Sequence, residues 1–585
     1  MGIFLAKEKH RRETRFHVAI DAFCQQIFNP YISDGDSLSN HQAFVLMHSK
    51  VFIRLLIVLG LMPAIGFPQT YTINHNQDIL HYTFNITLND TTNEIAGVAT
   101  ITFSLKDTED LVLDLINRGI NNKGMTVDQI TLANNDLAFV HVHDKLKVDI
   151  DTATTNPLKI IIYYHGVPAD GLIIGNNKFG EREFFGDNYP DRARNWLPCV
   201  DHPADKASVT WQINAPDHYR VVANGKIAGK KPLANHYLTT KWDETVPIST
   251  KVMVFGAANF SVDHTGVLRN IPVTSWVFLQ NKAAGFHDYK PALEILTYFD
   301  SLIAPYPFEK LANVQSNTRY GGMENAGNIF YAEASVDGKG GHETLIAHEI
   351  VHQWFGNSAT EKDWPHAWLS EGFATYLTHV YIGSRKGKAA MQARLKKDRG
   401  RVIQYWHQQP LPIVNTGLVT YPRVANMRAL LNTNTYQKAS WVLHMLHHEL
   451  GDAVFWQAVR EYYAVYKTNV ANTSDFQKIV EAVSKKNLQP FFEQWFFSEG
   501  QPILQGAWTY KKGEVTVIIN QRQEKPFVFP IDLGFVYNNE IIIKKIAVTT
   551  IGESFTIPGH KPKKILVDPN CNLLFEGPAE LTFKK

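Results

Sequence analysis

The sequence predicts a multidomain α+β protein: an amino-terminal antiparallel β domain, a mainly helical middle and a small carboxy-terminal β-sandwich. Three observations support this. The length of 585 residues exceeds what one hydrophobic core organises. Strand-like alternation fills the region after about Thr70 and returns after Pro502. Between them, from His342 to about Gly500, apolar residues recur at three- and four-residue intervals.

The elements follow in chain order. From Met47 the chain reads MHSKVFIRLLIVLGLMPAIGFPQ, with basic residues, an apolar run from Val51 to Phe67 broken only by Arg54, and small residues at Ala64 and Gly66. This has the form of a secretory signal peptide, but one that starts internally. We expect residues 1–66 to be an over-called extension plus a signal peptide, with translation starting at Met47 rather than Met1. The alternative is a membrane anchor at 51–67, which is shorter than the roughly 20 residues a spanning helix needs. The expected location is secreted or periplasmic, with membrane contact only through that segment if it is retained.

Residues 68–265 form the expected β domain, in which HYTFNITL, ATITFSL, SVTWQINA and STKVMVFGAA read as strands. Residues 266–502 carry the helices HETLIAHEIVHQWF, closed by Gly356 and Asn357, then KAAMQARLKKDRGRVIQYW, TYQKASWVLHMLHHEL and DAVFWQAVREYYAVY. Residues 503–585 contain GEVTVIIN, FVFPIDLGFVY and EIIIKKIAV, a plausible size for one small domain.

Composition excludes several classes. Charged residues make up 19% and the formal net charge is +2, so nothing points to nucleic acid or an anionic surface. Three cysteines, Cys24, Cys199 and Cys571, give neither a disulfide framework nor a thiolate zinc site. Any metal here is held by histidine and carboxylate.

AHEIVHQWFG (Ala347–Gly356) supplies such groups. On a helix, His348 and His352 lie one turn apart on one face and can share an ion. Glu349 is rotated about 100° from His348, near the ion but not on it, where a carboxylate can take a proton from an activated water. With 24 histidines, a chance His-Glu-x-x-His has odds of roughly one in twenty, so a third ligand decides the matter. Catalytic zinc takes three protein ligands and keeps a fourth position open. Glu371, in the apolar helical segment WLSEGFATYL, is costly to bury unless paired or metal-bound.

HEIVHQWFGN and WLSEGFATYL, preceded by YGGMENAG (Tyr320–Gly327), resemble the aminopeptidase N family of gluzincin metallopeptidases, peptidase family M1, which includes leukotriene hydrolase-like members. PYPFEK (Pro305–Lys310), RNWLPCVDHP (Arg194–Pro203) and FFEQWFFSEGQP (Phe491–Pro502) extend the similarity over most of residues 70–502. The resemblance implies a thermolysin-like catalytic domain, one zinc per chain on His348, His352 and Glu371, and Glu349 as general acid–base. It implies peptides with a free amino terminus as substrates. It assigns transition-state stabilisation to Tyr436 in TYQKAS, where the family's Tyr-x-Lys-Gly has Ala439 for glycine. It makes Gly321, Gly322, Met323, Glu324 and Asn325 the substrate-binding segment, with the glycines admitting substrate backbone and Glu324 binding its ammonium group. The family's second amine anchor, a Gln or Glu, is here matched by Tyr189, with Asp187 and Asn188 as possible substitutes.

The function expected is zinc-dependent hydrolysis of the amino-terminal peptide bond. The alternatives are an epoxide hydrolase-like activity on the same site or a non-catalytic peptide-binding scaffold. His444, His447 and His448 in LHMLHHEL read as core or surface histidines, and Cys199 as buried. Sequons at Asn85, Asn89, Asn259 and Asn472 matter only in a host that glycosylates exported proteins.

Overall fold

The computed structural model describes residues 73–106, 110–150, 156–415, 430–538 and 540–585. The expected signal segment from Met47 to Phe67 and Cys24 lie outside the described residues. Among the described residues no helix is long and apolar enough to cross a membrane.

The first region is built on an eight-stranded sheet. Across it run Lys226–Pro232, Tyr237–Ser249, Lys206–Pro216, Gln77–Thr87, Ile95–Leu105, Leu158–Val167, Gly124–Leu132 and Asn135–Asp136. Alternation does its expected work: in Ile95–Leu105 every second side chain is buried. Phe84, Ile101, Phe103 and Trp211 fill the core behind it. The sheet is not purely antiparallel as expected. Gln77–Thr87 pairs in parallel with Lys206–Pro216, with Tyr82 opposite Val209. Side-chain alternation is the same in either orientation, so the sequence carries no signal for this.

Two further expectations need correction. STKVMVFGAA is not one strand: Ser249 ends the strand Tyr237–Ser249, Thr250–Val252 forms a 3-10 turn, and Phe255–Ala258 is a separate strand. A domain break at residue 265 would cut a strand, because Phe260–Leu268 pairs with Ile271–Phe278 in the next sheet. Strand texture does not tell which sheet a strand joins.

That second sheet orders Phe260–Leu268, Ile271–Phe278, Leu311–Ser316, Asn328–Ala332 and Gly322–Met323. Its last strand is an edge, and helix α1 (Glu343–Val351) packs against it. Helix α2 (Trp368–Lys386) packs on α1, and the helix Ala439–Leu450 packs on α2. The carboxy-terminal region is two small sheets of four and three strands. Edge, α1 and α2 together position the site.

Candidate active site

Helix α1 carries His348 and Glu349 and ends at Val351, with His352 as its cap. The sequence had extended this helix to Gly356. It stops earlier because the chain turns back: the amide of Asn357 donates to the carbonyl of His352 at 3.0 Å, and Gly356 takes φ +124°. The turn has a use. His352 Nδ1 lies 3.1 Å from the carbonyl oxygen of Phe355, which can only accept, so Nδ1 carries a proton and Nε2 is the nitrogen that faces the site. Glu371 sits in the first turn of α2, between buried Leu369 and Phe373.

The three predicted ligand atoms converge. His348 Nε2 lies 3.2 Å from His352 Nε2 and 3.3 Å from Glu371 Oε2, and His352 Nε2 lies 3.2 Å from that same oxygen. Tetrahedral zinc with bonds of about 2.0–2.1 Å spaces its ligand atoms by about 3.3 Å, so the triangle has the right size. Glu371 Oε2 is buried and makes no well-directed hydrogen bond, which is costly unless a cation completes it. These residues fit a zinc ion.

The charges agree. Burial opposes a proton on His352, but the carboxylates of Glu371, Glu324 and Glu349 outweigh it and raise its pKa to about 10. Burial likewise pushes Glu371 up, yet the two imidazoles hold it well below the usual carboxylate range. Glu349 and Glu324 are both raised, chiefly by burial and then by the other carboxylates. Three buried carboxylates around two imidazoles form a pocket short of positive charge. Ligand atoms of Glu324, Glu349 and His352 also lie within 4.8 Å of one another, so both groupings share one pocket.

The strand Gly322–Met323 pairs with Phe330 and Tyr331. Met323 is 2% exposed and Asn325 is fully buried, so the accessible backbone of this segment is that of Gly321 and Gly322. Glu324 has an unpartnered Oε1, while its carbonyl accepts from Gln353 Nε2 at 2.8 Å and Asn357 Nδ2 at 2.6 Å. The turn after α1 therefore holds the Glu324 segment in place.

Tyr436 sits in a π-helical turn, Asn434–Lys438, that leads into Ala439–Leu450. Such turns are concentrated at functional sites. Its ring stacks 6.1 Å from that of His348 at 17°. Burial and then the charge of Glu371 push its pKa well above 10, so the phenol keeps its proton and can donate. Ala439 in place of glycine is absorbed by α2. A Cβ built on Gly372 would stand 2.7 Å from the Ala439 methyl, so the small residue opposite makes the room.

The first region contributes Tyr189. It is buried, and after burial the charges of Glu371, Glu361 and Glu324 raise its phenol, which sits among them. The proposed substitutes beside it are committed elsewhere. Asn188 donates to the carbonyls of Thr250 and Met253 and accepts from Trp196 Nε1. Asp187 is paired with Arg192 at 2.7 Å.

Sequence reading missed two lysines from the first region, Lys251 buried and Lys206 half-buried. Lys251 pairs with Glu361 and lies 5.5 Å over the Tyr189 ring, and Glu361 accepts from Ser370 beside Glu371. Lys206 Nζ donates to the carbonyls of Asn357 and Ser358 and to Thr360 Oγ1. Neither has a sequence signal, since a lysine on a strand reads as solvent-facing. The histidines of LHMLHHEL stay outside the site. His444 bonds the Cys571 carbonyl, and His447 bridges Tyr376 and Asp452. Cys199 is buried, as expected.

A family model described as the peptidase family M1 domain matches residues 289–495, and one described as the peptidase M1 N-terminal domain matches residues 79–252. Glutamyl aminopeptidase of Homo sapiens is 26% identical over 363 residues, covering 60% of this chain and 38% of that protein. The Sus scrofa glutamyl aminopeptidase is 27% identical over 330 residues, covering 54% and 35%. Aminopeptidase M1-C of Oryza sativa subsp. japonica is 25% identical over 323 residues, covering 53% and 36%. The matched region thus spans little more than a third of each of these curated relatives.

Proposed function

We propose, since this chain belongs to peptidase family M1, that it is a zinc-dependent aminopeptidase hydrolysing the amino-terminal peptide bond of peptides with a free amine. The observation that carries this is the 3.2–3.3 Å triangle of His348, His352 and Glu371, with two further buried carboxylates beside it. Those three residues would hold a zinc ion, which would supply Lewis acidity to the scissile carbonyl and lower the pKa of a water.

The other residues divide the remaining work. Glu349, made more basic than a free carboxylate by burial and its neighbours, takes the proton from the attacking water and delivers it to the departing nitrogen. The Tyr436 phenol donates to the oxyanion as the carbonyl becomes tetrahedral. Gly321 and Gly322 offer edge-strand backbone to the substrate. Glu324, with its unpartnered oxygen, receives the substrate ammonium. A blocked amine leaves that carboxylate unpaired, which disfavours internal cleavage. The presence of base, triad and phenol together supports catalysis over a binding scaffold. The signal-like run after Met47 supports export, and amino-terminal sequencing of the mature protein tests it; a mature chain starting near residue 1 overturns it.

The test is a panel of aminoacyl anilides, free and acetylated, with Glu349→Gln alongside. The names of the relatives place glutamyl substrates on the panel. Cleavage of free-amine substrates alone, abolished in the variant, is the expected result. Cleavage of acetylated substrates overturns the role of Glu324, and no cleavage by protein holding one zinc overturns the aminopeptidase reading.

A further inference from the structure

One carboxylate joins the two loops that flank the amine side of the pocket. Asp170 lies in the short connection between the strands Leu158–Val167 and Leu172–Asn176. Arg319 lies two residues before Gly321. Its guanidinium grips Asp170 with both arms, Nη2 donating to Oδ1 at 2.6 Å and Nη1 to Oδ2 at 3.3 Å. Arg192 reaches the same carboxylate, its Nη1 donating to Oδ1 at 3.3 Å. Asp170 and Arg319 are 149 positions apart, so this contact ties the first region to the loop that carries the substrate-binding segment.

Arg192 is itself fixed. It is 1% exposed, its Nε donates to the Tyr189 carbonyl at 2.8 Å, and its Nη2 lies 2.7 Å from Asp187. The connection of Asp170 is pressed against the same loop. The Asp187 amide donates to the Gly171 carbonyl at 2.7 Å, and a Cβ on Gly171, at φ +75°, would stand 2.1 Å from the Arg192 carbonyl oxygen. Two guanidiniums and two carboxylates balance, so Arg192 is buried with its charge compensated. Tyr320 follows Arg319 directly. Burial raises its phenol to about 12, and Arg192, Asp187, Arg319 and Glu324 all act on it. The charged cluster and the carboxylate assigned to the substrate amine therefore face one side chain.

The Arg319 side chain is about half exposed, so its pair with Asp170 adds little to overall stability. Its value is geometric, because a two-armed fork fixes orientation as well as distance. The next hold on this segment is the Gly321 carbonyl, which accepts from the Ala332 amide at 3.1 Å. We propose that Asp170 is a positioning residue for the amine flank: gripped by Arg192 on one side and Arg319 on the other, it fixes the loop of Tyr189 against the strand that leads to Glu324. The kinetic consequence rests on the aminopeptidase reading; the mechanical link does not.

The experiment compares Arg319→Met, Asp170→Asn and the double variant of the full chain. Amide hydrogen exchange of the peptide covering residues 317–325 is expected to speed up by about three- to tenfold in each single variant, with α1 unchanged. In zinc-loaded enzyme each is expected to raise KM for free-amine anilides by about three- to tenfold, with kcat within about twofold and zinc content unchanged. Arg319→Met is expected to add nothing further in the Asp170→Asn background. Arg319→Lys, which keeps the charge but not the fork, is expected to fall between wild type and Arg319→Met. Wild-type exchange in Arg319→Met overturns the proposal. Additive KM losses in the double variant also overturn it, as does a loss confined to substrates with an acidic first residue, which would make Arg319 a substrate contact. If Asp170→Asn does not fold, exchange and KM in Arg319→Met and Arg319→Lys decide by the same criteria. The exchange arm needs no turnover, so it stands apart from failure of the aminopeptidase reading.

Discussion

The two flanks of the site are built by different means. On one flank, His348, His352 and Glu371 come from two successive helices, and three atoms meet within 3.3 Å. On the other, Glu324 comes from a sheet edge and Tyr189 from the first region, steadied by Lys251 and Glu361 from separate segments. The first flank is local, set by helical periodicity and one helix–helix contact. The second is assembled from parts far apart in the chain. Substitutions on the first flank should therefore abolish chemistry, whereas those on the second should grade it.

The largest effect tests the first flank. Glu371→Ala is expected to lose the zinc and to lower turnover by on the order of 10³-fold or more, measured by metal analysis after gel filtration and by anilide hydrolysis. Full zinc retention would break the contrast between the flanks. Next, Glu324→Gln is expected to lower kcat/KM for free-amine substrates by about 10- to 100-fold with zinc content unchanged, because it removes one charge-assisted contact. Tyr189→Phe is expected to be milder, about three- to tenfold in KM, the scale of one neutral hydrogen bond. No change at all would remove Tyr189 from the amine flank.

The smallest effect concerns the frame behind both. Glu343 in the first turn of α1 accepts from Lys386 at 2.7 Å and Tyr381 at 3.0 Å at the far end of α2. Burial pushes Glu343 up, but those two donors hold it below the ordinary carboxylate pKa. Its contribution is therefore present above pH 4.5 and lost as the pH falls through its lower folded value. Glu343→Gln is expected to cost about 0.5 kcal/mol at pH 7, and the difference from wild type should vanish in acid. Denaturation at both pH values checks it; a difference that grows in acid would contradict the assignment.

The same contrast explains what the sequence could show. His348 and His352 were legible because four residues on a helix are one turn, and Glu371 because a carboxylate between Leu369 and Phe373 needs a partner. Glu349 followed from its rotation about the same helix. Strands such as Ile95–Leu105 were legible from alternation, but not the parallel pairing of Gln77–Thr87 with Lys206–Pro216. The occupation of Asn188 by Thr250 and Met253, and the placement of Lys206 and Lys251, depend on contacts between segments more than fifty residues apart, whereas the Asp187–Arg192 and Asn188–Trp196 contacts are local.

The π turn at Asn434–Lys438 makes the spelling of the gene matter there, beyond the identity of any one residue. Such a turn accommodates about one residue more than an α turn. Removing a single codon just before Tyr436 would let a regular helix form, with Ala439–Leu450 keeping its packing. The three steps from Tyr436 to Ala439, wound as α rather than π, would then turn Tyr436 to a different angle about the axis, away from His348. A reading-frame-preserving loss of three nucleotides would thus take the phenol out of the site while leaving every chemistry-bearing residue in its sequence.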